Sequence, residues 1–164
     1  MRAGGGWPST GARMIEGVYL KPLRRFADDR GYLMELVRAD DPFFTEFGQT
    51  VVTVSYPGVI KAFHWHERQD DYWVVLQGMA QVVLYDRRDH SPTRGQTDVY
   101  YLGQYNPQVL AIPRGVAHGY RVLGAEPAML LYTVTRPYDP EHPDEHRIPY
   151  NDPTISFDWS TQMR

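Results

Sequence analysis

The chain has 164 residues, a formal net charge of −3, a pI near 6.0 and no cysteine. That length suits one domain around a single core. The charge leaves no basic stripe for nucleic acid, and without thiols neither disulfides nor thiolate metal sites can form.

Residues 1–13, MRAGGGWPSTGAR, lack the apolar centre of a signal peptide. Their Gly, Ser and Pro content predicts a disordered lead-in to a single domain over 14–164. No apolar run approaches the ~20 residues that cross a bilayer, and the missing cysteines fit a cytoplasmic protein. Short runs rich in Val, Tyr and Thr then follow one another: GVYLKPL, YLMELV, QTVVTVSYPG, DYWVVLQG, AQVVLYD, VYYLG, QVLAIPRG, GYRVLG and AMLLYTVT. Such composition favours strands, and a spacing of roughly ten residues predicts an all-β sandwich or barrel. LQGMAQ, centred on Gly78, and LGAEPA read as hairpin turns. DDPFFTEF is the one predicted helix. Asp40 or Asp41 would cap it, Pro42 would fill its first turn, and Phe43, Phe44 and Phe47 would share a face. From Pro137 onward the Pro- and acid-rich tail, PYDPEHPDEHRIPYNDP, reads as an irregular wrap over the barrel.

Chemistry concentrates in KAFHWHERQDDYW, residues 61–73. Strand alternation points His64 and His66 to one face and Trp65 to the other. Asp71 follows on the next strand, and PRGVAH places His118 after a Pro-x-Gly turn. Imidazoles with one carboxylate suit Zn, Fe, Mn or Ni, so His64, His66, Asp71 and His118 form a candidate metal set. His64 is equally a candidate base, because imidazole titrates near neutrality. The order His-x-His, acid, glycine, then Pro-x-Gly-x-x-His resembles the signature of the cupin superfamily, with Asp71 where glutamate is usual. That resemblance implies a jelly-roll barrel, with one or two short helices, in which these positions converge.

A longer pattern surrounds the cluster: DDRGYLMEL, GVIKAFH, YDRRDHSPTRGQ, IPRGVAHGYRVLG, LLYTVTRPYDP and YNDPTISFDW, in that order. From about Met14 to Trp159 the chain resembles the dTDP-4-dehydrorhamnose 3,5-epimerase family, a cupin branch. The resemblance implies a homodimeric enzyme without a required cofactor, acting on a nucleotide-diphosphate sugar. Such enzymes exchange the protons at C3 and C5 of a 4-keto-6-deoxyhexose, the ketone serving as electron sink. By position, His64 aligns with the base and Tyr132 with the acid of the opposite face. Arg30 aligns with a diphosphate ligand contributed to the neighbouring subunit, and Lys61 with a second, arginine in the family. Gln49, His118 and Tyr138 align with pocket residues. Asp86 and Arg88 match the family but read as a structural ion pair, and Glu35 as a packing or dimer residue.

Three departures accompany the likeness. Asp71 stands where the family has a lysine that holds the enolate. Val82 replaces an aspartate. The family's base is oriented by an aspartate in a C-terminal Leu-Ser-x-x-Asp stretch that has no counterpart before Arg164. Asp71 could accept the imidazole N–H of His64 instead. Lys61, or a protonated His66 or His118, could face the enolate oxygen, as could a divalent metal acting as Lewis acid. The alternatives are a sugar-nucleotide ketoisomerase, a metal-dependent cupin oxygenase or isomerase, and a sugar-binding cupin without catalysis.

Overall fold

In the computed structural model, which describes residues 13–163, β-branched and aromatic runs pair into two facing five-stranded sheets. The strands are β1 (Tyr19–Pro22), β2 (Phe26–Asp28), β3 (Gly31–Leu33), β4 (Gln49–Ser55), β5 (Ile60–Trp65), β6 (Asp71–Gln77), β7 (Met79–Asp86), β8 (Thr97–Gly103), β9 (Gln108–Ile112), β10 (Val116–Leu123), β11 (Ala128–Val134) and β12 (His146–Arg147). One sheet runs β1-β9-β6-β11-β4, the other β12-β5-β10-β7-β8, and β2-β3 forms a separate ribbon. This is the expected all-β, cupin-type jelly roll. The expected lead-in, residues 1–13, lies outside the described residues except for Arg13.

Inward-facing Trp73, Val75, Val82, Leu84, Leu110, Ile112, Val122 and Leu130 meet between the sheets in one buried cluster. Removing such side chains from water is the main stabilising term of a sandwich of this kind. Two further layers cover the outer faces. Met34, Leu36, Val37, Phe43 and Phe44 pack over Tyr72 and Val74. On the other sheet, Phe63, Val83 and Ala117 are covered by Ile148, Ile155, Phe157 and Trp159 of the tail.

Two local expectations are corrected. Among the described residues there is no helix: residues 39–43 form turns, with isolated bonds from Asp41 N to Arg38 O (3.1 Å) and Phe44 N to Asp41 O (3.0 Å). A segment this short does not recover the cost of helix nucleation. Instead Phe43 and Phe44 are held by Tyr72, at ring separations of 5.3 and 6.0 Å, while Phe47 stays exposed. The turns at Gly78 and LGAEPA are not hairpins either. Each carries the chain from one sheet to the other, because β6 and β7, like β10 and β11, lie in different sheets. Gly78 takes φ +69°, and a Cβ there would sit 2.4 Å from Pro127 O, so the corner needs glycine.

One irregularity aims the site. His118 pairs with His64, yet Tyr120 pairs with Lys61, so three steps along β5 match two along β10. This bulge beside Gly119 re-phases the pleat. Lys61, His64 and His66 all turn toward the interior cleft, while Phe63 is fully buried beneath the tail.

Candidate active site

The cleft between the sheets has a volume of about 650 Å³, within the range of small-molecule sites. One sheet supplies Lys61, His64 and His118 from β5 and β10, with His66 just past the end of β5. The facing sheet supplies Gln49, Asp71, Trp73 and Tyr132 from β4, β6 and β11. Cross-strand pairing sets the neighbours: His64 lies opposite His118, and Tyr132 opposite Trp73. The tail closes one side with Tyr138, His142, Asp144 and Glu145.

At the floor, His66, Asp71 and His118 bring one ligand atom each within 4.8 Å of one another. His118 Nδ1 donates to Val116 O (3.0 Å), and His66 Nδ1 to Asp144 O. A carbonyl only accepts, so both rings carry their proton on Nδ1 and turn Nε2 inward. Each Nε2 stands 3.8 Å from Asp71 Oδ2. Asp71 is 4% exposed and accepts from Gln69 Nε2 (2.9 Å) and Trp73 Nε1 (3.1 Å). Burial pushes the His118 imidazole down to about 4 against the pull of Asp71, so near neutrality that ring is uncharged. When His66 is neutral too, acceptors converge on one point, a donor set of two imidazoles and a carboxylate that fits a divalent cation. His64 is not part of this group, so the candidate metal set contracts from four residues to three.

His64 Nδ1 meets Glu145 Oε1 at 2.9 Å. This corrects the expectation for Asp71, whose oxygens are turned to Gln69, Trp73 and the other two imidazoles. Burial disfavours the Glu145 charge, but His64 and Arg147 outweigh it and hold its carboxyl below the ordinary range. Tyr132 is half-buried beside Trp73, and burial together with the Asp71 charge raises its phenol. Such a group stays protonated at neutral pH, as a proton donor must.

The remaining predicted residues divide. Lys61 lines the cleft with its ammonium on Thr53 Oγ1 (3.2 Å), and Gln49 Oε1 accepts from the Tyr138 backbone N–H (3.2 Å) at the rim. Arg30 is not in the cleft. It sits at the tip of the β2-β3 ribbon, 85% exposed and paired with Asp28. Asp86 is fully buried away from the cleft, bound by Arg88 Nε (2.8 Å), Thr93 Oγ1 (2.7 Å) and Ser91, which accounts for the SPT motif. Glu35 pairs with Arg38 at the surface. Sequence reading missed Glu145, Asp144, His142 and Arg68, all at the cleft. The available signal was the acid-rich tail from Pro137 onward, rich in carboxylates that a histidine cluster could use.

The family model described as dTDP-4-dehydrorhamnose 3,5-epimerase matches residues 12–164. Spore coat polysaccharide biosynthesis protein SpsL of Bacillus subtilis (strain 168) is 56% identical over 151 residues, covering 92% of this chain and 100% of that protein. A dTDP sugar isomerase from Desulfovibrio desulfuricans G20 superposes with a TM-score of 0.82 at 32% identity, covering 88% of this chain and 92% of that one. A 3,5-epimerase from Legionella pneumophila Philadelphia 1, solved with dTDP-4-keto-L-rhamnose, gives a TM-score of 0.80 at 30% identity over 90% of this chain and 80% of that one.

Proposed function

The chain belongs to the dTDP-4-dehydrorhamnose 3,5-epimerase family, and from that premise we propose how its cleft works as an isomerase of a nucleotide-linked 4-keto-6-deoxyhexose. The observation that carries the reading is the placement of His64 and Tyr132 on opposite sheets, facing one cleft. Inversion at a carbon beside a ketone needs a base on one face and an acid on the other. His64 Nε2, the ring nitrogen not engaged by Glu145, removes the proton next to the C4 carbonyl. Charge moves onto the carbonyl oxygen, giving an enolate. The Tyr132 hydroxyl then delivers a proton to the opposite face of the same carbon, and solvent resets both groups.

An enolate oxygen calls for a donor, and the family's lysine is absent. Lys61 is the nearest replacement in kind, and His66 serves when it carries a second proton. Were a divalent cation bound, His66, Asp71 and His118 would hold it and it would polarise the carbonyl. That convergence of acceptors is the one feature favouring a metal-dependent cupin as the second reading. We take residues 14–164 as one unit, since both sheets share a core. The nucleotide-linked substrate suits a cytoplasmic enzyme; among the described residues no helix is long and apolar enough to cross a membrane.

The homodimer belongs to the same proposal. Strand β4 is a sheet edge with Val52, Val54 and the following Tyr56 exposed, and the β2-β3 ribbon exposes Phe26, Tyr32 and Leu33. Pairing these between two copies would cover both edges and would carry Arg30 toward the neighbour's cleft to meet the diphosphate.

The test is proton exchange. EDTA-treated protein is incubated with dTDP-4-keto-6-deoxyglucose in D2O, and C3 and C5 are followed by NMR, with His64→Ala as control. Deuterium entering either carbon only when His64 is present supports the reading. Exchange that returns only with added metal supports the second reading. Movement of the ketone along the ring would instead identify a ketoisomerase.

A further inference from the structure

We infer that Glu145, the residue just ahead of β12, is the positioning residue of His64. The inference rests on the epimerase reading for its catalytic meaning and on geometry for its pairing. The contact is direct, His64 Nδ1 to Glu145 Oε1 at 2.9 Å, with the two side chains 30% and 35% exposed. A carboxylate there fixes the proton on Nδ1, leaves Nε2 bare toward the substrate, and stabilises the imidazolium formed when Nε2 takes a proton.

The support of this contact distinguishes it from an ordinary surface pair. Strand β12 is short, yet it lies directly against β5: Arg147 is opposite His64, and His146 opposite Trp65. Phe63 and Ile148 exchange both backbone bonds, at 2.7 and 2.9 Å. The His146 ring stacks on Trp65 at 4.1 Å, and the Arg87 guanidinium also lies over that indole, at 3.6 Å. On the other side of Glu145, the Asp144 carboxylate accepts the backbone N–H groups of Glu67 and Arg68, each at 2.8 Å, and its carbonyl accepts His66 Nδ1. The residues before and after Glu145 are thus fastened to the strand and turn that carry the two histidines. Trp65, which alternation turns away from the cleft, has a use in this arrangement: it is the surface on which the carboxylate's mount rests.

Arg147 bonds the same oxygen of Glu145, at 3.1 Å, but its side chain is 78% exposed. An exposed pair of that kind contributes little and gives no reason for a carboxylate to turn inward. His64 gives that reason.

The test uses the full chain with 15N-labelled histidine. The His64 Nδ1–H should give a downfield, slowly exchanging proton signal in the wild type. Glu145→Ala should abolish it, and Glu145→Gln should move it upfield. In the exchange assay, Glu145→Gln should lower kcat on the order of ten- to hundredfold, the scale of a charge-assisted hydrogen bond. KM should stay within about twofold. Glu145→Asp should recover part of the loss, which a merely structural role would not predict. A signal that persists in Glu145→Ala, or an unchanged kcat in folded Glu145→Gln, overturns the inference. A wild type that exchanges no substrate proton defeats the epimerase reading alone. The histidine signal then still decides whether Glu145 sets His64.

Discussion

Gly119→Ala should damage the enzyme without removing a single functional group. Gly119 lies where β10 crosses the bulge in β5. An added Cβ would stand 2.3 Å from Ala62 Cβ, 2.7 Å from Ala62 Cα and 2.9 Å from Lys61 O. Two of those three atoms are backbone, so no side chain can swing aside. Carbon atoms rest near ~3.5 Å, which requires the strands to part by roughly an ångström at this point. Overpacking of this sort costs about 1–3 kcal/mol. Loss of glycine's freedom in the unfolded chain returns only about 0.5–1 kcal/mol, so net destabilisation is expected. The larger effect is on catalysis. His64 and His118 pair across these two strands, and Lys61 lies one step beyond. A displacement of ~1 Å in a reacting group can cost about a hundredfold in rate. Urea unfolding measures the first effect, and deuterium exchange at saturating substrate, on protein shown to be folded, measures the second. A Gly119→Ala protein with wild-type urea midpoint and wild-type exchange rate would refute the role assigned to this strand crossing.

Tyr132→Phe should uncouple exchange from inversion: His64 still removes the proton and can return deuterium to the same face, so label enters while the product epimer does not accumulate. Epimer forming at the wild-type rate would remove Tyr132 from the reaction. Lys61→Ala should raise KM about tenfold, the scale of one charged contact, with a smaller change in kcat if the ammonium holds the diphosphate. A fall in kcat at constant KM would move Lys61 to the enolate oxygen. Asp86→Asn should lose about 3 kcal/mol of stability, because the Arg88 guanidinium and two hydroxyls stay gathered around a fully buried position without the charge they share. Burial disfavours the Asp86 charge, but these donors outweigh it and depress the folded carboxyl. Its stabilisation is therefore present above the unfolded value near ~4 and fades as pH falls through the folded one. The Asn variant should approach the wild type in stability as the pH is lowered into that range; a constant difference down to strong acid would contradict the assignment.

The strands were legible because burial leaves a pattern. Runs such as DYWVVLQG and AMLLYTVT became β6 and β11, and the two histidines two apart turned the same way, with Trp65 reversed. Lys61 could not have been placed by alternation. Three residues from His64, it belongs on the other face of a regular strand, and only the bulge returns it to the cleft. The helix over DDPFFTEF failed because its caps and phenylalanines were real signals for a different use: the Asp41 carboxylate takes the Arg38 backbone N–H and the Lys21 ammonium, and two phenyl rings lie on Tyr72. The corners at Gly78 and Gly124 were read as hairpins since turn residues look alike whether the next strand pairs locally or crosses over. Glu145 was hidden for a further reason. The strand that follows it has two residues, held by backbone bonds and a ring stack, and neither leaves a periodic trace among prolines and acids.

Most connections in the barrel cross from one sheet to the other, and β7-β8 is the only hairpin within either main sheet among the described residues. Pairings distant in sequence form late, after much loop entropy has been lost. No half of the cleft can therefore assemble by itself: His64 acquires His118 across one sheet, and Tyr132 faces them only once the second sheet has closed over the first. Folding should be slow and the cleft should appear in one cooperative step. Partly folded chains would have no residual exchange activity, and on heating, catalysis should vanish at the same temperature as the barrel itself.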